Sequence, residues 1–355
     1  MHYTPLFLFL DSMSQFLKVN ANTNLSGVIR SKPEDFQVDE ISQFTPSGEG
    51  EHVWLHIKKT GENTDWVAGL LAKIADVPRK DVSYAGMKDR HAVTTQWFSV
   101  QMPGKEAPEW QSQLPDSVVV LSENRHSRKL KRGALEGNKF TLVIRDFVGD
   151  EAELAEAVER IKTQGIPNYY GEQRFGHDQM NIRKAEQWFR GEFKVKSRPK
   201  RSIYLSAARS WIFNHVLSQR VTQGTWNKAV EGDVYILGNS KSCFYEALSD
   251  DIISRVNQKE IHPTGVLWGR GRSLAQDEVA ALENTVAEQF ATLCDGLERN
   301  GLKQERKALR LNIDDLSYTY DLTENSVTLM FTLVAGAFAT SVLAEIGEFK
   351  RFNEL

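Results

Sequence analysis

Residues 166 to about 310 read differently from the chain on either side of them, and this change of texture constrains the fold more than any single motif. Before it, strand and helix signals alternate. His52-Val-Trp-Leu-His-Ile57 alternates in period two, the pattern of a half-buried strand. Gly61-Glu-Asn63-Thr64 breaks that strand. Asn63 or Thr64 can cap a helix running to about Val77, with Trp66, Val67, Leu70, Leu71 and Ile74 on one face. Pro78 stops it. Further strands are expected at 96–102, 117–121 and 140–145. Residues 151–162 form an amphipathic helix, with Leu154, Ala157, Val158 and Ile161 on one face and Gly165 closing it. From 166 to 310 helix signals dominate, including one from Ser206 to about Thr222. The final stretch returns to alternation at Val327, Leu329, Phe331 and Leu333, followed by Gly336 and an apolar helix from Phe338 to about Ile346. A mixed β/α unit interrupted by a helical insert gives this order. Periodicity does not say whether the last segment rejoins the first sheet.

The chain has 355 residues, which suggests about two domains at roughly 150 residues each. Its two cysteines, Cys243 and Cys294, can build neither a disulfide framework nor a Cys-based zinc site, and fit a reducing compartment. The apolar run at 6–10 is too short to span a bilayer, is shorter than a usual signal segment, and has no Lys or Arg before it. A cytoplasmic protein without a membrane partner is expected, and Met13 offers a second translation start. Net charge is −3, from 44 Lys+Arg against 47 Asp+Glu, but the charge is segregated. Arg125, Arg128, Lys129, Lys131 and Arg132 form one basic cluster. Lys194, Lys196, Arg198, Lys200 and Arg201 form a second, and Lys303, Arg306, Lys307 and Arg310 a third. Such segregation makes a basic face on a near-neutral protein, or three separate solvated stretches.

The chemistry begins at Gly86-Met-Lys88-Asp89-Arg90-His91-Ala92, in a loop before the strand near Gln96. The glycine lets the backbone turn and leaves the carboxylate of Asp89 accessible. A lone accessible carboxylate among cations suits nucleophilic or base catalysis; the plain alternative is a charged turn. His52 and His56 would sit about 13 Å apart on a strand and cannot chelate together. No metal-ligand spacing appears, so no metal is expected. Gly265-Val-Leu-Trp-Gly269-Arg-Gly271 has the wrong spacing, and no flanking strand, for a dinucleotide loop. Walker A and GxSxG signatures are missing, and no Cys has a credible His partner. What remains is a cofactor-free enzyme using one acid, or a binding protein.

Four more segments are over-specified for filler. They are Lys32-Pro33-Glu34-Asp35-Phe36 after Arg30, Gly133-Ala-Leu-Glu-Gly137-Asn138-Lys-Phe140, Asn168-Tyr-Tyr170-Gly171-Glu-Gln173-Arg174-Phe175-Gly176, and Gly336-Ala-Phe338-Ala-Thr340-Ser341. With these, the Asp89 loop, the stretch 128–140, Ser206-Ala-Ala-Arg-Ser-Trp-Ile-Phe-Asn214 and the helix after Phe338, the chain resembles the TruD family of tRNA pseudouridine synthases. The resemblance runs from Gly27 to about Ile346, with six motifs in the family's order.

The resemblance implies the isomerisation of uridine to pseudouridine in tRNA, at uridine 13 of the D-arm in tRNA-Glu and similar tRNAs. No cofactor, metal or protein partner is implied. The family's aspartate falls on Asp89, and Arg30, where the family usually has Lys, falls on the cation paired with it. Phe36 and Phe338 fall on stacking faces for the detached uracil, whose edge Asn138 would hold. Lys88, Arg128, Lys129 and Arg174 are expected to contact RNA. The implied fold is α+β: a pseudouridine-synthase catalytic domain with a mixed, largely antiparallel β-sheet flanked by helices, plus an inserted α/β TRUD domain, in a V-shaped two-domain molecule. The catalytic domain would be residues 1–164 and 312–355, and the insert 165–311. Val334 stands where the family usually has Pro, and Ala344 where it usually has Arg. A catalytically silent tRNA-binding protein or RNA chaperone on the same fold is the alternative. The intact Asp89 motif with Phe36, Asn138 and Phe338 argues against it.

Overall fold

The computed structural model describes residues 16, 18–20, 23–238 and 242–352. The apolar run at 6–10 and Met13 lie outside the described residues. The chain divides into two compact units. One, the sheet unit, holds Thr23–Lys162, Ile313–Ala339 and the described part of Ile346–Leu355. The other, the helical unit, holds Thr163–Asn312, Thr340–Glu345 and the described part of Met1–Asn22.

Strands β1 (Ser26–Ile29), β2 (Phe36–Ser42), β3 (His52–Thr60), β4 (Val82–Tyr84), β5 (Val93–Gln101), β6 (Val118–His126) and β7 (Leu135–Val148) come first, with α1 (Thr64–Ile74) between β3 and β4 and α2 (Glu151–Gln164) after β7. In α1 the Asn63 side chain accepts from the Asp65 N–H, so Asn63 is the cap. Val67, Ala68, Leu71 and Ala72 form its buried face against Val53, Leu55, Ile57, Phe98 and Val100 of the sheet. Trp66, expected on that face, is exposed. In α2, Leu154, Ala157, Val158 and Ile161 are the buried residues, as their spacing predicts.

The helical unit follows with β8 (Ile166–Pro167), α3 (Met180–Phe189), α4 (Arg198–Thr222), β9 (Val234–Leu237), β10 (Cys243–Tyr245), α5 (Asp250–Asn257), β11 (Ile261–Leu267), α6 (Asp277–Gln289), α7 (Ala291–Arg299), β12 (Glu305–Ala308) and β13 (Arg310–Leu311). Ser197 caps α4 and Pro199 sits in its first turn, so the helix starts earlier than Ser206 and takes Arg198, Lys200 and Arg201 into its first turns. Ala208, Trp211, Ile212, Phe213 and Leu217 of α4 pack with Ile182, Ala185 and Phe189 of α3 and Leu293 and Leu297 of α7. A four-stranded sheet in the order β10–β9–β11–β12 completes the unit. The segment before Gly269 is therefore a strand, contrary to the sequence reading.

The chain then returns to the first sheet. Here β14 (Ser317–Asp321), β15 (Ser326–Val334), α8 (Ala339–Ile346) and β16 (Glu348–Arg351) are added. β15 pairs antiparallel with β7 from Val327↔Ile144 to Val334↔Gly137, which settles what periodicity left open. The sheet has ten strands, ordered β14–β15–β7–β2–β5–β3–β6, with β1 and β16 on a side branch from β7 and β4 beside β5. Among the described strands of this sheet only β1 with β16 and β2 with β5 run parallel. It is the mixed, largely antiparallel sheet of the expected α+β fold. Gly137 is required where β7 meets β15, because a Cβ there would lie 2.3 Å from the Leu333 carbonyl oxygen.

Candidate active site

Asp89 lies in the loop between β4 and β5. The loop is fastened from beneath. Gln96 on β5 donates from Nε2 to the Gly86 carbonyl at 3.1 Å, and its Oε1 accepts from the Thr64 hydroxyl at 2.9 Å. Thr64 Oγ1 in turn accepts from the Lys88 N–H at 3.1 Å. Lys59, fully buried on β3, donates from Nζ to the carbonyls of Asp89 at 3.0 Å and Glu62 at 2.8 Å. Gly86 adopts no left-handed backbone, and a Cβ there would be in ordinary contact with Lys88 Nζ. The loop's shape thus comes from its anchors rather than from the glycine.

With the backbone held, the Asp89 carboxylate points outward and is 41% exposed. Its Oδ2 accepts from Arg30 Nη2 at 2.8 Å. Arg30 follows β1 at a φ of 60°, a region few non-glycine residues adopt, where strain is commonly kept for function. Its guanidinium lies 3.7 Å from the centroid of the Phe36 ring. A cation over an aromatic face at this range is attracted by the ring quadrupole. The contact with Asp89 is through one nitrogen, so the bidentate pairing that Arg permits is not formed.

Phe36 is placed by a second buried pair. Asp35, in the 3-10 turn Pro33–Asp35, is fully buried and accepts from Arg145 Nε at 3.0 Å and Nη2 at 2.8 Å, and from the Lys32 N–H at 3.1 Å. That bonding pushes the Arg145 pKa up. Phe36 itself is 4% exposed. It meets Phe140 edge-on at 6.2 Å, and Phe140 stacks on Phe331 at 5.4 Å, so three adjacent strands support the ring. Its outer face is covered by Arg30. A flat ligand can stack there only after the guanidinium moves aside.

Arg30, Phe36 and Asp89 are therefore brought together. Asn138 lies opposite Glu40 of β2 and Leu333 of β15, and its Oδ1 is buried without a hydrogen-bond partner. Phe338 is half-buried in the turn before α8 and makes no ring contact with Phe36. Arg128 and Lys129 are exposed, and Lys129 Nζ reaches the Lys80 carbonyl at 2.6 Å. In the helical unit, Arg174 donates to the Ser206 hydroxyl at 2.7 Å, with its guanidinium 5.2 Å from the Tyr170 ring.

Lys88, expected at the RNA, is turned inward instead: its ammonium is 2.6 Å from Glu40 Oε2, and its side chain is 6% exposed. It is spent on a buried ion pair under the loop. The supporting residues Glu40, Lys59, Thr64, Gln96 and Arg145 were not legible beforehand. A lysine and a glutamate at inward positions of strands were the available signal. Among the described residues no group of three or more His, Cys, Asp or Glu side chains is placed to hold a metal, and no helix is long and apolar enough to cross a membrane.

A carboxylate on an anchored loop, a cation beside it and an aromatic ring under that cation thus sit together on an α+β scaffold built around one mixed sheet. The same scaffold occurs in a solved structure of TruD from Methanosarcina mazei, with a TM-score of 0.72 over 93% of this chain and 95% of that one. At 21% identity this is a likeness of fold. The family model described as tRNA pseudouridine synthase D (TruD) matches residues 14–194 and 181–346. The tRNA pseudouridine synthase D of Methylococcus capsulatus is 47% identical over 333 residues, 94% of each chain. That of Hydrogenovibrio crunogenus is 44% identical over 339 residues, 96% of this chain and 98% of its own. The chain belongs to the tRNA pseudouridine synthase D (TruD) family.

Proposed function

We propose that the chain converts uridine 13 in the D-arm of tRNA-Glu and similar tRNAs to pseudouridine, with Asp89 as the reacting carboxylate. Isomerisation of uridine in tRNA is the activity its family carries. The N1–C1′ bond breaks, the uracil turns, a C5–C1′ bond forms, and the C5 hydrogen leaves as a proton. Nothing is oxidised or reduced. Asp89 either adds to the base or ribose, or takes a ribose proton to give a glycal. The observation that carries the reading is the Arg30–Asp89 pair: an accessible carboxylate, held by its backbone and kept beside a guanidinium.

The neighbouring groups fit a flipped base, which aromatic or apolar side chains commonly hold. Phe36 and Phe338 supply faces, the first once Arg30 swings off it. The unpartnered Oδ1 of Asn138 matches the N3–H of uracil, and satisfying a buried acceptor is worth about 1–3 kcal/mol. Arg128, Lys129 and Arg174 are proposed phosphate contacts, in a chain that works in the cytoplasm. We assign residues 1–164 and 312–355 to the catalytic domain and 165–311 to the insert. Unit boundaries at Lys162/Thr163 and Asn312/Ile313 support this, while Thr340–Glu345 and the described part of Met1–Asn22 group with the helical unit.

The test is unmodified tRNA-Glu transcript incubated with the protein, labelled with a carbodiimide that marks pseudouridine and mapped by primer extension. A stop at position 13, lost when that uridine is replaced by cytidine, is expected. A stop elsewhere overturns the site. No stop, with the tRNA bound, favours the silent binder.

A further inference from the structure

We propose that Lys59 is a positioning residue that grips the main chain of Asp89 and so aims its carboxylate, an inference that rests on the reading of Asp89 as the reacting group. The hydrogen bonds already noted tie the loop to its surroundings, and the Gly61 N–H adds another to the Ala92 carbonyl at 3.1 Å. Of these, the bond from Lys59 is the one that reaches the main chain of Asp89, where Arg30 meets its carboxylate. Lys59 is fully buried, yet its ammonium donates to two carbonyls and to no carboxylate. Glu62 meets it through its carbonyl, while the Glu62 carboxylate accepts from the Ser117 hydroxyl at 3.0 Å. A buried ammonium that hydrogen-bonds no carboxylate is unfavourable, and Met would fill the same space without that cost. Lysine at this position has a use that Met does not supply.

The charges facing Lys59 are Asp89 and Lys88 from the loop and Glu62 from the turn after β3. Burial outweighs them and brings its pKa down to about 8. Charge-assisted bonds are roughly twice as strong as neutral ones, so the grip weakens when the proton leaves. Turnover should then fall as pH rises through about 8. Stability should move the other way. The folded pKa is lowered below the unfolded value, the unfolded chain binds more protons above about pH 8, and stability contributed here rises from there towards the ordinary lysine pKa.

The experiment is single-turnover isomerisation of tRNA between about pH 6 and pH 10, with wild type, Lys59→Met, Lys59→Arg and Asp89→Asn, alongside tRNA affinity and melting temperature. Lys59→Met should lose about 10- to 100-fold in rate at neutral pH, with affinity unchanged, melting no lower and the alkaline limb gone. Lys59→Arg, charged throughout, should recover most of the rate without the limb. A wild-type rate in Lys59→Met overturns the proposal, as does a loss matched by weaker tRNA binding or lower melting. If Lys59→Met does not fold, the other two curves decide: a wild-type profile flat through the alkaline range, or a limb kept in Lys59→Arg, overturns it. Activity in Asp89→Asn would show that the reading of Asp89 is at fault. Loss there, with Lys59→Met unaffected, sinks the Lys59 proposal alone.

Discussion

Arg220 and Asp233 in the helical unit, and Arg30 and Asp89 in the sheet unit, each bring a guanidinium nitrogen against a carboxylate oxygen, at 2.7 and 2.8 Å. Their surroundings differ. Arg220 meets both oxygens of Asp233, and its remaining donors go to the Thr225 hydroxyl and the carbonyls of Thr225 and Lys228. Asp233 also accepts from the Val230 N–H, and both side chains are out of solvent. All three guanidinium nitrogens and both carboxylate oxygens are hydrogen-bonded, and the pair staples the end of α4 to the residue before β9. The Arg30–Asp89 contact uses one nitrogen, leaves the carboxylate open to solvent, and shares its guanidinium with an aromatic face. The same two residue types make a fastening where both partners are buried and hydrogen-bonded on several sides, and an open pair where the carboxylate is left available, as the proposed role of Asp89 requires.

Exchanging amides for the two carboxylates should separate these roles. Asp89→Asn should reduce tRNA isomerisation by about 100- to 10,000-fold, with melting almost unchanged. Asp233→Asn should destabilise the fold by about 3–5 kcal/mol, with normal turnover per folded molecule, as urea titration and active-site counting would reveal. Strong destabilisation in the first, or lost turnover in folded material of the second, would break the comparison. Lys88→Met should resemble the Asp233 variant, also at about 3–5 kcal/mol, because it strands buried Glu40. Removing both partners, with Glu40→Leu added, should restore much of that loss. A Lys88→Met protein of wild-type stability that binds tRNA poorly would return Lys88 to the RNA surface.

Smaller effects sharpen the picture at the rim of the site. Phe338→Ala should slow turnover by about 1–3 kcal/mol, with little change in tRNA affinity; an unchanged rate would remove that ring from the pocket. Lys129→Ala should flatten the salt dependence of tRNA binding by about one phosphate contact, leaving turnover at saturating tRNA intact. An unaltered slope would mean that this lysine faces only water.

The comparison also explains what could be read in advance. The amphipathic helices were legible because a helix facing a core repeats its apolar residues, as Leu154, Ala157, Val158 and Ile161 do. Strand β2 was not, because its inward face reads Phe36, Val38, Glu40, and a glutamate there hides the alternation until Lys88 is seen beneath it. The strands of the helical unit are mostly short and, apart from β9 with β10, are paired with partners distant in sequence, and no local period announces that. Asp89, Arg30, Phe36, Asn138 and Phe338 came from motif order. The residues that hold Asp89 and Phe36 lie on other strands and helices, where only the fold brings Lys59, Thr64 and Gln96 under the loop and Arg145 against Asp35. Sequence gave the exposed carboxylate; tertiary structure supplied what keeps it in place.

The most direct test of Asp89 is release of tritium from unmodified tRNA carrying uridine labelled at C5, compared between wild type and Asp89→Ala under identical conditions. Joining C5 to C1′ expels that hydrogen, so release reports isomerisation itself. Release by wild type and none by Asp89→Ala, with tRNA bound equally by both, is the predicted result. Equal release by both proteins would contradict the account and leave Asp89 an ordinary charged residue of a well-anchored loop.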